Sequence, residues 1–159
     1  MKLSFVIPAW NEEKLLGATI HSIQQSARNF DFEIIVADDA SDDRTQEIAR
    51  ELGTEVVSCN NRQIGQTRND GARVATGDVL IFVDADTIVY KEVVNETVEA
   101  VEKGYVSGGS FPRFDGKIPL LATILAKALE WLFIVVGLSA GAYMFCTKEA
   151  FENSGGFNP

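Results

Sequence analysis

Apolar runs at residues 3–7, 32–37 and 79–83 alternate along the chain with segments whose apolar residues recur at helical spacing. That alternation constrains the fold more than any other feature, because strands separated by helices of this length build βαβ units and a largely parallel sheet. The runs are nearly continuous, as strands covered on both faces require. Residues 3–7 read as the first strand, stopped by Pro8. Asn11, Glu12 and Glu13 mark a helix start with acids near the positive end of its dipole, and Leu15, Leu16, Ile20 and Ile23 carry that helix to about residue 27. The second strand is followed by Ser41, Asp42 and Asp43, which cap a helix ending near residue 52. A short strand at 55–58, a helix at 63–75, the strand at 79–83, a helix at 91–103 and a strand at 105–108 complete the series.

Two of these strands end in acid pairs. Phe82-Val83-Asp84-Ala85-Asp86 is an apolar strand tipped by two carboxylates, which share a face if the backbone stays extended. Anions that close repel unless a cation, a hydrogen-bond donor or a raised pKa relieves them. A hard divalent ion with oxygen ligands, its shell completed by phosphate and water, is the usual solution. Asp38-Asp39 ends the 32–37 run in the same way. Ligands of open α/β sheets bind beyond the carboxyl ends of the strands, where both pairs fall. The bland alternatives are helix caps and solvated loop acids; Asp42 and Asp43 read better as first-turn helix acids than as ligands.

The 159 residues suit one domain that buries roughly two-thirds of its unfolded surface. Fourteen Lys and Arg against 23 Asp and Glu give a net charge of −9. That balance argues against a nucleic-acid surface, which usually shows a basic patch or stripe, and it makes a metal more necessary for any phosphorylated ligand. Cys59 and Cys146 are too few for a zinc site and read as free thiols in a reducing, cytoplasmic setting. Residues 111–118 read as an irregular connection. Residues 119–138 are strongly apolar but carry Lys127 and Glu130, and three readings stand: a helix buried in the domain, an interfacial helix touching the inner face of a membrane, or a span, which the charges weigh against. Residues 141–145 fit an apolar strand, and Trp131 and Phe133 read as packing residues.

Several short motifs then occur in one order. Val6-Ile7-Pro8-Ala9-Trp10-Asn11-Glu12-Glu13 precedes Val36-Ala37-Asp38-Asp39-Ala40-Ser41-Asp42-Asp43. Gly65-Gln66-Thr67-Arg68-Asn69-Asp70-Gly71 and Gly77-Asp78-Val79-Leu80 follow, then Phe82-Val83-Asp84-Ala85-Asp86 and Phe151-Glu152-Asn153-Ser154-Gly155-Gly156-Phe157-Asn158. Each is weak alone. Their order and spacing over essentially the whole chain resemble the family 2 glycosyltransferases of the GT-A fold.

The resemblance implies a Rossmann-like α/β domain that moves a sugar, with inversion, from a nucleoside-diphosphate sugar to an acceptor hydroxyl on a glycan or a lipid-linked sugar. It implies a nucleotide-binding half at residues 1–110 and the start of an acceptor half at 111–159, where residues 141–145 would line an acceptor pocket, although an apolar strand explains them equally well. Pro8, Ala9, Asn11 and Glu12 would border the base and ribose, although Glu12 fits a helix-start acid equally well. Asp39 would accept a hydrogen bond from the base. Gly65 and Arg68 would lie near the nucleotide, Arg68 neutralising phosphate unless it is an exposed helix residue. Asp84 and Ala85 would approach the ribose, and Asp86 would bind Mg²⁺ or Mn²⁺ at the diphosphate. On family frequency a UDP-sugar ranks first and a GDP-sugar second.

The chain departs from the family pattern in three places. The general base of the family follows the Gly-Gly-Phe motif by a short distance, and this sequence ends at Pro159, so it reads as truncated and no base is assigned. A non-catalytic nucleotide-sugar-binding domain is therefore the alternative; nucleotidyl transfer is disfavoured because residues 8–13 are neither Gly-rich nor basic. Trp10 replaces a frequent Tyr, keeping an aromatic surface without the phenolic hydroxyl. Ala40 replaces a frequent Gly, which argues that φ need not be positive there.

Overall fold

A computed structural model describes residues 1–110 and 142–158. Six strands form one sheet: β1 (Lys2–Ala9), β2 (Asp31–Asp39), β3 (Glu55–Cys59), β4 (Val79–Val83), β5 (Ser107–Ser110) and β6 (Tyr143–Thr147). The helices are α1 (Leu16–Ser26), α2 (Thr45–Glu51), α3 (Ile64–Val74), α4 (Lys91–Glu102) and α5 (Lys148–Ser154). Strand order is β3-β2-β1-β4-β6-β5. The β1–β2, β1–β4 and β2–β3 pairs are parallel, whereas β6 runs antiparallel to both β4 and β5. The expected mainly parallel α/β sheet is present, and Tyr143, Met144 and Phe145 of the apolar stretch enter it in β6. Residues 111–118 and 119–138, with Trp131 and Phe133, lie outside the described residues. No described helix is long and apolar enough to cross a membrane.

Alternation along the strands divides the core between two faces. Phe5, Ile7, Val36, Ile81 and Val83 meet Leu16, Ile20 and Ile23 of α1 and Val94 of α4 on one side. Val6, Ile35, Leu80 and Phe82 meet Ala72 of α3, with Phe151 and Phe157, on the other. α3 lies especially close: a Cβ on Gly71 would stand 2.5 Å from Val6 Cγ1. Glycine is required there so that the helix carrying Arg68 can seat on β1 and β2.

Several local expectations are corrected. β1 does not stop at Pro8 but pairs with β2 through Ala9. The β1–β4 ladder ends at Val6–Phe82, so the imide nitrogen of Pro8 removes no bond on that side. Asn11, Glu12 and Glu13 do not begin a helix; α1 starts at Leu16 with no side-chain cap and no acid in its first turn. Asn11 takes a left-handed φ of 56°, and the loop after β2 captures this segment instead. Ser41 Oγ accepts the Asn11 N–H (2.9 Å), Thr45 Oγ1 that of Glu12 (2.8 Å) and Asp43 that of Glu13 (3.1 Å). Ala40 has a φ of 58°, so the position takes the left-handed conformation even without glycine, against the expectation that φ need not be positive there. The strand expected at 105–108 begins at Ser107, because Gly104 turns with φ 90° and leaves Tyr105 and Val106 exposed.

Candidate nucleotide-binding site

β1 lies between β2 and β4, so the chain reverses its direction of winding there and opens a crevice at the carboxyl ends of β1 and β4. Pro8 and Ala9 end β1 on this edge, with exposed Trp10 and Asn11 beyond them. Asp38 and Asp39 end β2 on opposite faces. Asp38 is fully buried on the α2 side, where it accepts bonds from the Ser41 N–H and from Gln46 Nε2, while its Oδ1 has no partner among the described residues. Asp39 is on the α3 side; its Oδ1 accepts the Asn61 N–H at 2.6 Å, and its Oδ2 has no partner among the described residues. Pairing with Asn61 holds the carboxylate in one orientation and leaves one oxygen for a ligand.

Arg68 is buried rather than exposed, with 11% of its side chain accessible. Its Nη2 donates to Asp84 Oδ1 at 2.7 Å, and its guanidinium lies 5.4 Å from the Phe157 ring centroid. Asp84 and Asp86 do not continue an extended strand. β4 ends at Val83, and the Thr87 N–H bonds Asp84 O at 3.0 Å to close a turn. Asp84 is consequently half-buried against Arg68, Ala85 points into the core, and Asp86 is exposed. The turn separates the two carboxylates into different roles, one ion-paired and one facing solvent.

Glu12 joins this edge electrostatically. Burial pushes its carboxyl above the ordinary carboxylate value, and the negative charges of Asp86, Asp43 and Asp84 add to the effect. Negative charge therefore accumulates where the loops after β1 and β4 face one another, and a cation there relieves it. Among the described residues no group of three His, Cys, Asp or Glu side chains is arranged to hold a metal ion. One or two carboxylates beside a phosphate position are the donor set by which Mg²⁺ or Mn²⁺ binds together with a diphosphate, so the residues fit such an ion.

Gly65 opens α3 and faces the C-terminal segment: a Cβ on it would stand 3.0 Å from Asn158 O. That segment is held by Asn69, which sequence reasoning missed. Asn69 Nδ2 donates to Phe157 O and its Oδ1 accepts the Phe157 N–H, both at 2.9 Å. Gly156 permits the approach, with φ 80° and room for no Cβ beside Asn69 Oδ1. The Gly-Gly-Phe motif thereby brings an aromatic ring against Arg68 and packs it edge-on to Phe82, 4.9 Å between centroids. Two further arrangements were also missed. Arg62, at φ 53°, places its guanidinium 5.2 Å over the ring of exposed Trp10, and Thr19, Ser22 and Ser26 of α1 bond the loop after β4. A row of hydroxyls on an otherwise apolar helix face is visible in the sequence; the Asn69 contact, spanning 88 positions, is not. Cys59 and Cys146 are free and half-buried, and burial raises both thiols to about 11.

A family model described as glycosyl transferase family 2 matches residues 4–134. A dolichol-phosphate mannosyltransferase of Pyrococcus furiosus is 32% identical over 122 residues, covering 69% of this chain and 35% of its own. A 4,4'-diaponeurosporenoate glycosyltransferase of Staphylococcus haemolyticus is 40% identical over 111 residues, covering 65% and 28%. The chain thus spans about a third of the length of these curated relatives. Among solved structures, glucosyl-3-phosphoglycerate synthase from Mycobacterium tuberculosis, in complex with Mn²⁺, UDP and glucosyl-3-phosphoglycerate, matches with a TM-score of 0.71 at 26% identity, over 93% of this chain and 57% of that one. A family match over most of the chain and a shared fold lead to one conclusion: this chain belongs to glycosyltransferase family 2, enzymes of the GT-A fold.

Proposed function

We propose that this chain supplies the donor-binding part of a glycosyltransferase that moves a sugar from a UDP-sugar to an acceptor hydroxyl, with inversion. The observation that carries the reading is the buried Arg68–Asp84 ion pair beside exposed Asp86, facing Glu12 across the β1–β4 crevice. A nucleoside diphosphate needs three things: an acceptor for the base, positive charge for the phosphates, and oxygen donors for a divalent ion.

The free oxygen of Asp39 receives the base N–H, and exposed Trp10, just beyond the end of β1, supplies an aromatic surface on the same side of the sheet ends. The UDP seen with the mycobacterial synthase supports uracil as that base. Arg68, held between Asp84 and the Phe157 ring, presents a planar donor fork suited to phosphate oxygens. Fixing it before the donor arrives removes the entropy cost of ordering it at the moment of reaction. Asp86, with Asp84 nearby in the same loop, would hold the divalent ion, which would supply Lewis-acid stabilisation of the charge on the departing diphosphate. The Mn²⁺ of the same synthase complex supports that assignment. The attacking hydroxyl requires a base within hydrogen-bond reach. Two relatives named for dolichol phosphate and diaponeurosporenoate support an acceptor attached to or built from a lipid.

Asp86→Ala tests the reading. Calorimetry should show Mn²⁺-dependent UDP binding abolished while the far-ultraviolet circular dichroism is unchanged. Unaltered Mn²⁺ dependence removes Asp86 from the site.

A further inference from the structure

We infer that Thr19 is a positioning residue for the metal-binding carboxylate of the donor site: its hydroxyl holds the Ala85 peptide and so sets the direction in which Asp86 leaves the sheet. The inference rests on the donor-site reading above.

Thr19, Ser22 and Ser26 are spaced three and four residues apart and lie on one face of α1. That face meets the loop after β4. Thr19 Oγ1 donates to Ala85 O at 2.7 Å; Ser22 Oγ accepts the Val89 N–H at 2.9 Å; Ser26 Oγ donates to Val89 O at 2.9 Å. Ser22 Oγ also donates to Thr19 O at 2.7 Å, joining the row to the helix backbone. Thr19 is fully buried, and Ala85 is 4% exposed. Loop backbone groups buried this deeply need partners, and here the helix side chains supply them.

The position of the first bond distinguishes it from ordinary satisfaction of a buried carbonyl. Ala85 is the residue between Asp84 and Asp86. Asp84 is already fixed from two sides, by Arg68 and by the bond from its N–H to Ala142 O at 3.2 Å. Asp86 is exposed, with no hydrogen bond or ion pair of its own among the described residues. Its orientation therefore depends on the peptide before it, and the hydroxyl of Thr19 bonds the carbonyl of that same Ala85–Asp86 peptide, anchoring it to a helix in the core. Groups that orient a metal ligand typically alter metal affinity by about 10–100-fold when removed.

The test uses the 159-residue chain with UDP as probe, titrated with and without Mn²⁺, in the wild type, Thr19→Val and Thr19→Ser. Valine keeps the shape and removes the hydroxyl; serine keeps the hydroxyl. The Mn²⁺-dependent gain in UDP affinity should fall about 10-fold or more in Thr19→Val, with metal-free affinity within about twofold, and return in Thr19→Ser. Unchanged Mn²⁺ dependence in Thr19→Val overturns the inference. So does equal loss of both affinities, which marks a purely structural hydroxyl. Should Thr19→Val not fold, Ser22→Ala loosens the far end of the same loop and is read in the same way. A wild type that binds no UDP under either condition overturns the donor-site reading and the metal role of Thr19 with it. Amide hydrogen exchange separates that failure from failure of the anchor: the Thr87 N–H should exchange about 10-fold faster in Thr19→Val if the hydroxyl holds the turn, and at the wild-type rate if it does not.

Discussion

Replacing Glu33 by Gln should destabilise the protein by about 2 kcal/mol at neutral pH and much less in acid. Glu33 lies on β2 opposite Ser4 of β1, at the sheet edge away from the nucleotide site. Its carboxylate accepts four hydrogen bonds: Ser4 Oγ and the Thr76 N–H at 2.6 Å, Lys2 Nζ and Thr76 Oγ1 at 2.7 Å. Ser4 is itself fully buried and accepts the Gly77 N–H at 2.8 Å, so one carboxylate joins two strands and the turn entering β4. Burial alone pushes the carboxyl up, but the bonds from Lys2, Ser4 and Thr76 outweigh it and bring the pKa from 4.5 down to about 2. That difference corresponds to about 3 kcal/mol of preference for the ionised form in the folded state. A fifth of the side chain is exposed, and solvent screening lowers the expected value to about 2 kcal/mol. Because the folded pKa lies below the unfolded one, this stability is present above about pH 4.5 and lost as pH falls toward 2. Urea unfolding of the wild type and Glu33→Gln at pH 7 and pH 3 reads both quantities. The difference should shrink to less than half between the two. An equal difference at both pH values refutes the carboxylate account, and no difference at pH 7 refutes the network itself.

Arg68→Ala should cost about 2–3 kcal/mol, the lower end for breaking a buried ion pair because Asp84 is 33% exposed, and should weaken UDP binding; wild-type urea midpoint and affinity together contradict this. Asp39→Asn should reduce the preference for one nucleotide base over another while leaving the Mn²⁺ dependence intact, as read by competing UDP and GDP titrations. Ala40→Gly should stabilise by about 0.5 kcal/mol in urea unfolding, since relief of the left-handed strain exceeds the added backbone freedom of glycine; a lower midpoint counts against strain at φ 58°.

The strands were the most legible part of the sequence. Val79–Val83 matches its apolar run to the residue, because a strand buried on both faces has no polar position to blur its limits. Loops were read less well, because distant partners decide their conformation. Asn11 has the chemistry of a helix cap, yet Ser41, Asp43 and Thr45, some thirty positions away, take the N–H groups of residues 11–13 and delay the helix to Leu16. The same loop draws Ala40 into the left-handed region, which a residue with a Cβ does not announce. In the site, Asp84 and Asp86 were legible as carboxylates at a strand end and Glu12 as either a helix-start acid or a nucleotide contact, and the structure brings the three within electrostatic reach of one another. The turn after Val83 that separates Asp84 from Asp86 was not legible, since it depends on Ala85 entering the core and on Thr19, 66 positions earlier. Arg68 was legible as a phosphate-binding candidate, but its clamp between Asp84 and Phe157 requires Asn69 to hold a segment 88 positions away.

Calorimetric titration of UDP and GDP into the 159-residue chain, with and without Mn²⁺, tests the donor-site assignment most directly. The account predicts UDP binding that strengthens with Mn²⁺, with GDP weaker under both conditions. Binding of neither nucleotide, or UDP affinity indifferent to Mn²⁺, contradicts it.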